Sequence, residues 1–590
     1  MMLENARRAG ALRMPREFSP ARWLRESSSA LVPIALVVGA GVGLGAVFFR
    51  WLIEAATQLF TGYGDYSDQG RVPHAHLLEL GIWFVIGVPV IAGLLYGPLV
   101  SWLAPEARGH GVPEVMLAVA ERGGRISPRV PVVKSLASAI CIGGGGSVGR
   151  EGPIVQIGSA LGSGVGQLLH VGTPRMRLLV ACGAAAGISA TFNAPLAGPF
   201  FAMELILRDF AAESFGAVVL SSVTASIVGR ALLGNHAFLA LPSFSPRNAL
   251  EYLFFAVVGG IVGVVGVCFS KVLYLIEDAC DWLWRGPEWL RPAVGGVLLG
   301  GLLLALPEMY GVGYPVLQNA VQGHYVLWML LLLLVGKMVA TSLTIGIGGS
   351  GGVFAPTLFI GAMAGTACGQ IVHHLLPGLT ESAGAYGLIG MGAALGGATR
   401  APITAVVILF ELTGEYSIVV PLMAAVAIAS GFSHLLSKDT IYTRKLLRRG
   451  INIDKPPQTI VGELAVGKVA KDPPACIGEN VGLPEIAKLM AGKSQTAVAV
   501  VDDRDIYRGI VTAQSVAEAL ADPERAVATA RQLAELPPTV IAADTVEYAL
   551  DELVGRAGTG LPVLSDDHSR LVGWVTHEDI ITGSARVGAT

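Results

Sequence analysis

GGGGSVGREGP, residues 143–153, lies between the apolar stretches PVVKSLASAICI (131–142) and IVQIGSALGSGVGQLL (154–169). It puts Arg150 and Glu151 side by side on a glycine-rich turn inside a hydrophobic region. The stretch has a gapless partner, GIGGSGGVFAP (346–356), with three glycines, a serine, a fourth glycine and a proline at matching offsets. Further along, NAPLAGPFFAMEL (193–205) aligns on RAPITAVVILFEL (400–412), each with a glutamate nine residues after its first proline. Both partners lie a little over 200 residues away, so the region reads as one duplicated unit. Duplicated transporter halves often have inverted topology, with interrupted helices that aim their N-terminal N–H groups at an anion near mid-membrane.

Composition supports the membrane reading. The 590 residues are 53% hydrophobic and 14% charged, with mean hydropathy +0.61, against roughly 25% charged for an average soluble protein. Runs such as GIWFVIGVPVIAGLLYGPLV (81–100) and VLWMLLLLLVGKMVA (326–340) approach the roughly 20 residues of a spanning helix. Others, such as APITAVVILF (401–410), are shorter and punctuated by Gly and Pro. They predict broken or re-entrant helices, tolerated at membrane depth only inside protein or along an aqueous path.

The first 30 residues hold six arginines, three glutamates and no apolar core. They predict a cytosolic tail rather than a signal or transit peptide. RKLLRRG (444–450) is a second basic cluster beyond the last apolar run, so the positive-inside rule predicts both ends of the membrane region in the cytosol. From residue 451 onward 12 Lys and Arg face 20 Asp and Glu, predicting a soluble acidic region with no basic surface for nucleic acid. Within it TAVAVVDDRDIYRGIVTAQSV (496–516) repeats as TGLPVLSDDHSRLVGWVTHEDI (559–580), each fitting strand, turn, strand and helix start. Six cysteines stand singly and no HExxH spacing occurs, so neither a disulfide framework nor a metal site is expected. A phosphate-loop enzyme is a poor reading, because GxxxxGK[ST] is missing. So is a divalent-cation transporter, for want of a carboxylate cage.

The motifs GHGVPEV (109–115), GREGP (149–153), GGVFAP (351–356) and IYTRKLLRRG (441–450) resemble the CLC family of chloride channels and chloride/proton antiporters, and the soluble repeats resemble a pair of CBS domains. The resemblance implies an all-α polytopic membrane domain of about eighteen helices, several re-entrant or broken, in inverted halves near 31–235 and 249–443. A cytosolic tail (1–30) would precede this domain (31–443). A linker (444–465) and an α+β CBS pair (466–523 and 529–585) would follow it. It also implies a homodimer with one anion path per subunit, in the inner (plasma) membrane, and no enzymatic activity.

By the same resemblance Glu151 is the gate: its carboxylate occupies the anion position until protonation or chloride displaces it. A charged side chain at mid-membrane costs at least ~2.5–3.5 kcal/mol, which makes such a glutamate a functional candidate in its own right. The anion-binding set implied is His110, Gly149, Arg150, Gly152, Gly352, Val353, Phe354, Ala355 and Tyr442. Tyr442 could otherwise be an interfacial anchor, and Lys134 either a source of positive potential or a snorkelling lysine. His110 departs from the family's usual serine and brings a group that titrates near neutral pH. Leu205 stands where coupled antiporters usually carry a proton-transfer glutamate. Glu204, one residue away, would face about 100° elsewhere on a regular helix, although Pro199 allows irregularity.

An apolar Leu205 resembles the channels, so passive, Glu151-gated chloride conduction is the leading expectation and chloride/proton antiport the alternative. No cofactor is required on this reading. An adenine nucleotide would sit on the CBS pair, where Thr576 and Asp579 fit the ribose and phosphate pattern completely, while Thr512 is followed by Ser515 in place of the aspartate.

Overall fold

The computed structural model describes residues 28–234, 244, 248–453, 464–493, 495–522, 525, 527–553, 560–565, 567 and 569–587. Most of the expected N-terminal tail and residues 454–463 of the expected linker lie outside this set. The chain divides at Ile453/Asp454 into two compact units.

The first unit is helical, from Leu31–Thr61 to Thr443–Arg448. Seven of its described helices are long and apolar enough to cross a membrane, and shorter apolar helices such as Val130–Gly143 and Pro402–Thr413 lie between them. The duplication is visible in the packing. Glu151–Leu169 lies on Thr173–Phe192, and Phe354–Leu375 on Ala383–Thr399. In each pair glycine backbones touch: a Cβ on Gly158 would lie 2.2 Å from the Gly183 carbonyl oxygen, and one on Gly361 2.4 Å from that of Gly390. Close backbone approach through small residues is how apolar helices associate where no water drives them together.

Four helices of this unit begin close together: Val112–Ala120, Glu151–Leu169, Tyr314–Val321 and Phe354–Leu375. Each has a proline in its first turn (Pro113, Pro153, Pro315, Pro356), where the missing N–H had no intrahelical partner to lose. Between them the two glycine turns cross. The Gly149 and Gly352 amides donate to each other's carbonyls at 2.7 and 2.6 Å, and the Gly109 amide donates to Gly349 O at 3.1 Å.

The second unit holds two three-stranded sheets, β1 (Cys476–Gly478), β2 (Ala497–Val501) and β3 (Tyr507–Thr512), then β4 (Val540–Ile541), β5 (Leu561–Leu564) and β6 (Leu571–Val575). In both, the first strand runs parallel to the central one and the third antiparallel. The register shifts at the corresponding position, Val500/Val501 and Val563/Leu564. Packing does not follow chain order. Leu464, Val466 and Val469 complete the core of the second copy, and Ala528, Ala530 and Leu533 that of the first.

Candidate anion site

Glu151 opens the helix Glu151–Leu169 and is 1% exposed. Its Oε1 accepts the Tyr314 hydroxyl at 2.5 Å and its Oε2 the Ala355 amide at 3.4 Å. The carboxylate therefore lies at the start of the helix Phe354–Leu375 in the other half, where helix N–H groups concentrate positive potential. The amides of Gly149 and Gly352 are engaged with each other. Each of these two amides, expected as a donor to an anion, is thus already paired with a backbone carbonyl. Gly152 is needed for closeness: a Cβ there would lie 2.1 Å from His110 O and 2.9 Å from Gly352 Cα. The Val353 and Phe354 side chains are buried beside it, the Phe354 ring 5.8 Å from that of Phe192.

Beyond Glu151, Arg150 stacks its guanidinium over the Tyr314 ring at 5.4 Å. Both line a vestibule of about 450 Å³ together with Arg50, Asn193 and Arg230. Arg150 thus faces this vestibule beside Glu151.

His110 and Tyr442 lie side by side. Both are 1% exposed, with rings 6.3 Å apart. Tyr442 is an interior residue, not an interfacial anchor, and its segment is pinned by the Tyr274 hydroxyl bonded to Ile441 O at 2.6 Å. Neither ring nitrogen of His110 has a hydrogen-bond partner among the described residues. Buried polar atoms are seldom left so, and an imidazole N–H is a donor an anion can use. Lys134 is fully buried, which removes the snorkelling alternative; its amine bridges Ala107 O and Gly109 O at 2.8 Å each, fixing the loop that carries His110. Lys445, which sequence reasoning used only for topology, brings its amine against the same loop, 2.7 Å from where a Cβ of Gly109 would be.

Several contacts recur with the halves exchanged. Lys337 bridges Gly311 O and Val312 O at 3.0 Å each, as Lys134 does its own loop. The Ser138 hydroxyl meets that of Ser350 at 2.9 Å, while the Thr341 hydroxyl donates to Ser147 O at 2.7 Å. Glu204 accepts the amides of Ile403 and Thr404 at 3.2 and 2.8 Å, and Glu411 accepts those of Leu196 and Ala197 at 2.9 and 2.7 Å. Each carboxylate of the repeated Glu-Leu pair therefore caps a helix start in the other half. The expected regular helix around Leu205 is instead a π-helical segment, Ala202–Leu207. Leu205 is buried there, and Glu204 is committed to its cap.

In the second unit Thr576 and Asp579 form a closed capping box. The Thr576 amide and hydroxyl both donate to Asp579 Oδ2, at 3.0 and 2.6 Å, and Lys471 pairs with Oδ1 at 2.5 Å. Burial works against the charge of Asp579, but Lys471 and Thr576 outweigh it and hold the carboxyl below the usual aspartate value. The other copy repeats the box with Thr512 and Ser515, which donate and accept at 3.0 and 3.1 Å without any charge.

Comparison with known proteins bears on the family and the fold. A family model described as "Voltage gated chloride channel" matches residues 92–434, and one described as "CBS domain" matches 466–522 and 532–586. A ClcB-like chloride channel protein of Ralstonia nicotianae is 35% identical over 434 residues, 72% of this chain and 99% of its own. The H(+)/Cl(-) exchange transporter ClcA of Vibrio vulnificus is 34% identical over 433 residues, 72% and 90% of the two chains. Among solved structures, a slow cyanobacterial Cl-/H+ antiporter aligns with a TM-score of 0.64 at 25% identity, covering 72% of this chain and 98% of that one. A eukaryotic CLC transporter shares the fold over 95% of this chain and 99% of its own, with a TM-score of 0.61 at 20% identity. The family model spans more than half of the chain and relatives about 35% identical match it over nearly their own full length, so the chain belongs to the CLC family of anion-transporting membrane proteins, with two CBS domains after the membrane unit.

Proposed function

We propose that this protein exchanges chloride for protons, with Glu151 as gate and proton carrier. The observation that carries the reading is the carboxylate itself, buried at the start of Phe354–Leu375 with the Ala355 amide on Oε2. An anion and a carboxylate compete for such a position, and the carboxylate yields when it is protonated. Burial of Glu151 on one side and of His110 and Tyr442 on the other supports a path that is never open throughout, as exchange requires. Relatives such as ClcA of Vibrio vulnificus are named H(+)/Cl(-) exchangers, which outweighs the channel-like Leu205. Passive conduction stays the second reading, favoured by that leucine and by the cap that occupies Glu204. Purified protein in liposomes, with a chloride gradient and the voltage set by potassium and valinomycin, separates the two. Uphill proton movement coupled to chloride is expected; robust chloride efflux with no proton movement would establish the passive path.

The anion route we assign runs past Ala355, Phe354, Val353 and Gly152 to His110 and Tyr442, with both termini cytosolic in the inner membrane and two subunits each carrying a route. His110 supplies an N–H donor and, on protonation, a charge. With Glu151→Gln as background, chloride flux should retain a component that changes as the medium is made more acid, as an imidazole takes up a proton. Adding His110→Ser should remove it, and identical profiles with and without the second change would assign His110 a purely structural role.

On the CBS pair, the box at Thr576 and Asp579 is the position for an adenine nucleotide, its ribose hydroxyls taking the place of Lys471 on Oδ1. Calorimetry with ATP, ADP and AMP on the full chain should show binding that Asp579→Ala weakens by about tenfold, the loss of one hydrogen bond to a charged group. No binding of any of the three would leave the pair as a structural module.

A further inference from the structure

Tyr314 is absent from the motifs by which the chain resembles its family, yet its hydroxyl lies 2.5 Å from the Glu151 carboxylate. Its position comes from the duplication. APEARGHGVPEV (104–115) repeats as LPEMYGVGYPVL (306–317), sharing Pro-Glu, two glycines and the later proline at the same offsets. Tyr314 corresponds to Val112, so a hydroxyl appears only in the copy whose helix start faces Glu151. Gly313, at φ +82°, turns the chain into the helix Tyr314–Val321, a conformation costly for other residues. Lys337 holds the two preceding carbonyls, Gly311 O and Val312 O, at 3.0 Å, and Arg150 covers the phenol ring. Three separate contacts therefore aim one hydroxyl at one carboxylate oxygen.

We propose that Tyr314 is the latch of the gate, a positioning residue whose hydroxyl holds the ionised Glu151 carboxylate across the anion path. An O–H···O⁻ bond of 2.5 Å is of the short, charge-assisted kind. It favours the ionised carboxylate over the protonated one, because the neutral acid is a weaker acceptor. The latch therefore sets how acidic the vestibule must become before the gate opens, and how strongly the carboxylate competes with chloride. The other charged or titratable groups facing Glu151 are Arg150 at its own helix start, Lys337 from Leu327–Gly346 and Tyr442. Tyr314 is the one that donates a hydroxyl hydrogen bond to Oε1.

The inference rests on Glu151 being the gate, and the test keeps the two apart. Tyr314→Phe retains the ring under Arg150 and removes only the hydroxyl. In liposomes it should move the half-maximal pH of chloride flux upward by about one unit, the size of one lost charge-assisted hydrogen bond. Chloride binding to the purified protein at neutral pH, measured by calorimetry, should tighten several-fold, since the competing carboxylate is less firmly held. In the Glu151→Gln background Tyr314→Phe should change neither quantity. An unshifted pH profile with unchanged chloride affinity in Tyr314→Phe overturns the latch while leaving the gate intact. The same shift in both backgrounds overturns it too, by placing the action of Tyr314 elsewhere. A Glu151→Gln variant with wild-type flux and pH profile would instead remove the gate reading itself.

Discussion

Glu151→Gln is expected to raise chloride flux at neutral pH and to abolish proton counter-transport. The amide has nearly the volume of the carboxyl but cannot ionise, so it can neither carry a proton nor act as an anion at the start of Phe354–Leu375. In the native chain the carboxylate is held there by the Tyr314 hydroxyl and the Ala355 amide. Charge-assisted bonds are worth ~1.5–3 kcal/mol each, so their loss should shift the balance between closed and open gate by at least about tenfold. Proton movement should fall to the leak of protein-free liposomes while chloride efflux rises and loses most of its pH dependence. Counter-transport persisting in a folded Glu151→Gln protein would put the proton on another residue and leave Glu151 as a buried structural charge.

The second large effect concerns stability. Gly158→Ala should destabilise the membrane unit by about 1–3 kcal/mol, the usual cost of forcing one methyl into a packed interior. Its Cβ would lie 2.2 Å from the Gly183 carbonyl oxygen and 3.0 Å from a Val42 methyl. The nearest atom is helix backbone, which cannot rotate aside as a side chain can. Six residues along the same helix, Gly164 has nothing within 4 Å of an added Cβ. Gly164→Ala should therefore be neutral or stabilising, by up to the ~1 kcal/mol that separates the two residues in helix propensity. Thermal unfolding in detergent compares the pair directly, and equal midpoints would show that Glu151–Leu169 and Thr173–Phe192 are not packed as closely as the structure has them.

What the sequence made legible was whatever is written in glycine, proline and repetition. The crossing turns could be found because GGGGSVGREGP and GIGGSGGVFAP keep the same small residues, and small residues are required where backbones touch. The two CBS copies could be found because a short apolar run, an Asp-Asp pair and a later Gly-apolar-apolar-Thr recur in both. Tyr314 was passed over because its copy of the repeat shares only Pro, Glu and Gly, with the one informative residue at a position that differs. Lys337, midway along an apolar helix, and Lys445, in a basic run, look like ordinary lysines; only their enclosure by carbonyls and loops shows what they hold. The role of Glu204 was hidden for a further reason. Its partners, Ile403 and Thr404, stand about 200 residues away, and no local pattern announces a cap supplied by the other half. The π-helical turn at Ala202–Leu207 likewise defeats an argument from regular helical spacing, so the relation of Glu204 to Leu205 could not be read by counting residues.

That exchange of caps has a bearing on how the protein can be assembled. Glu204 and Glu411 each complete a helix that belongs to the opposite repeat, so neither repeat is a finished object. A lone repeat would leave two helix-start amides without their acceptor and carry a carboxylate with nothing to bind. During synthesis the first repeat must wait, incompletely satisfied, until some 200 further residues have entered the membrane. The cell therefore makes a single long chain out of what is, by its contacts, a pair of mutually dependent proteins.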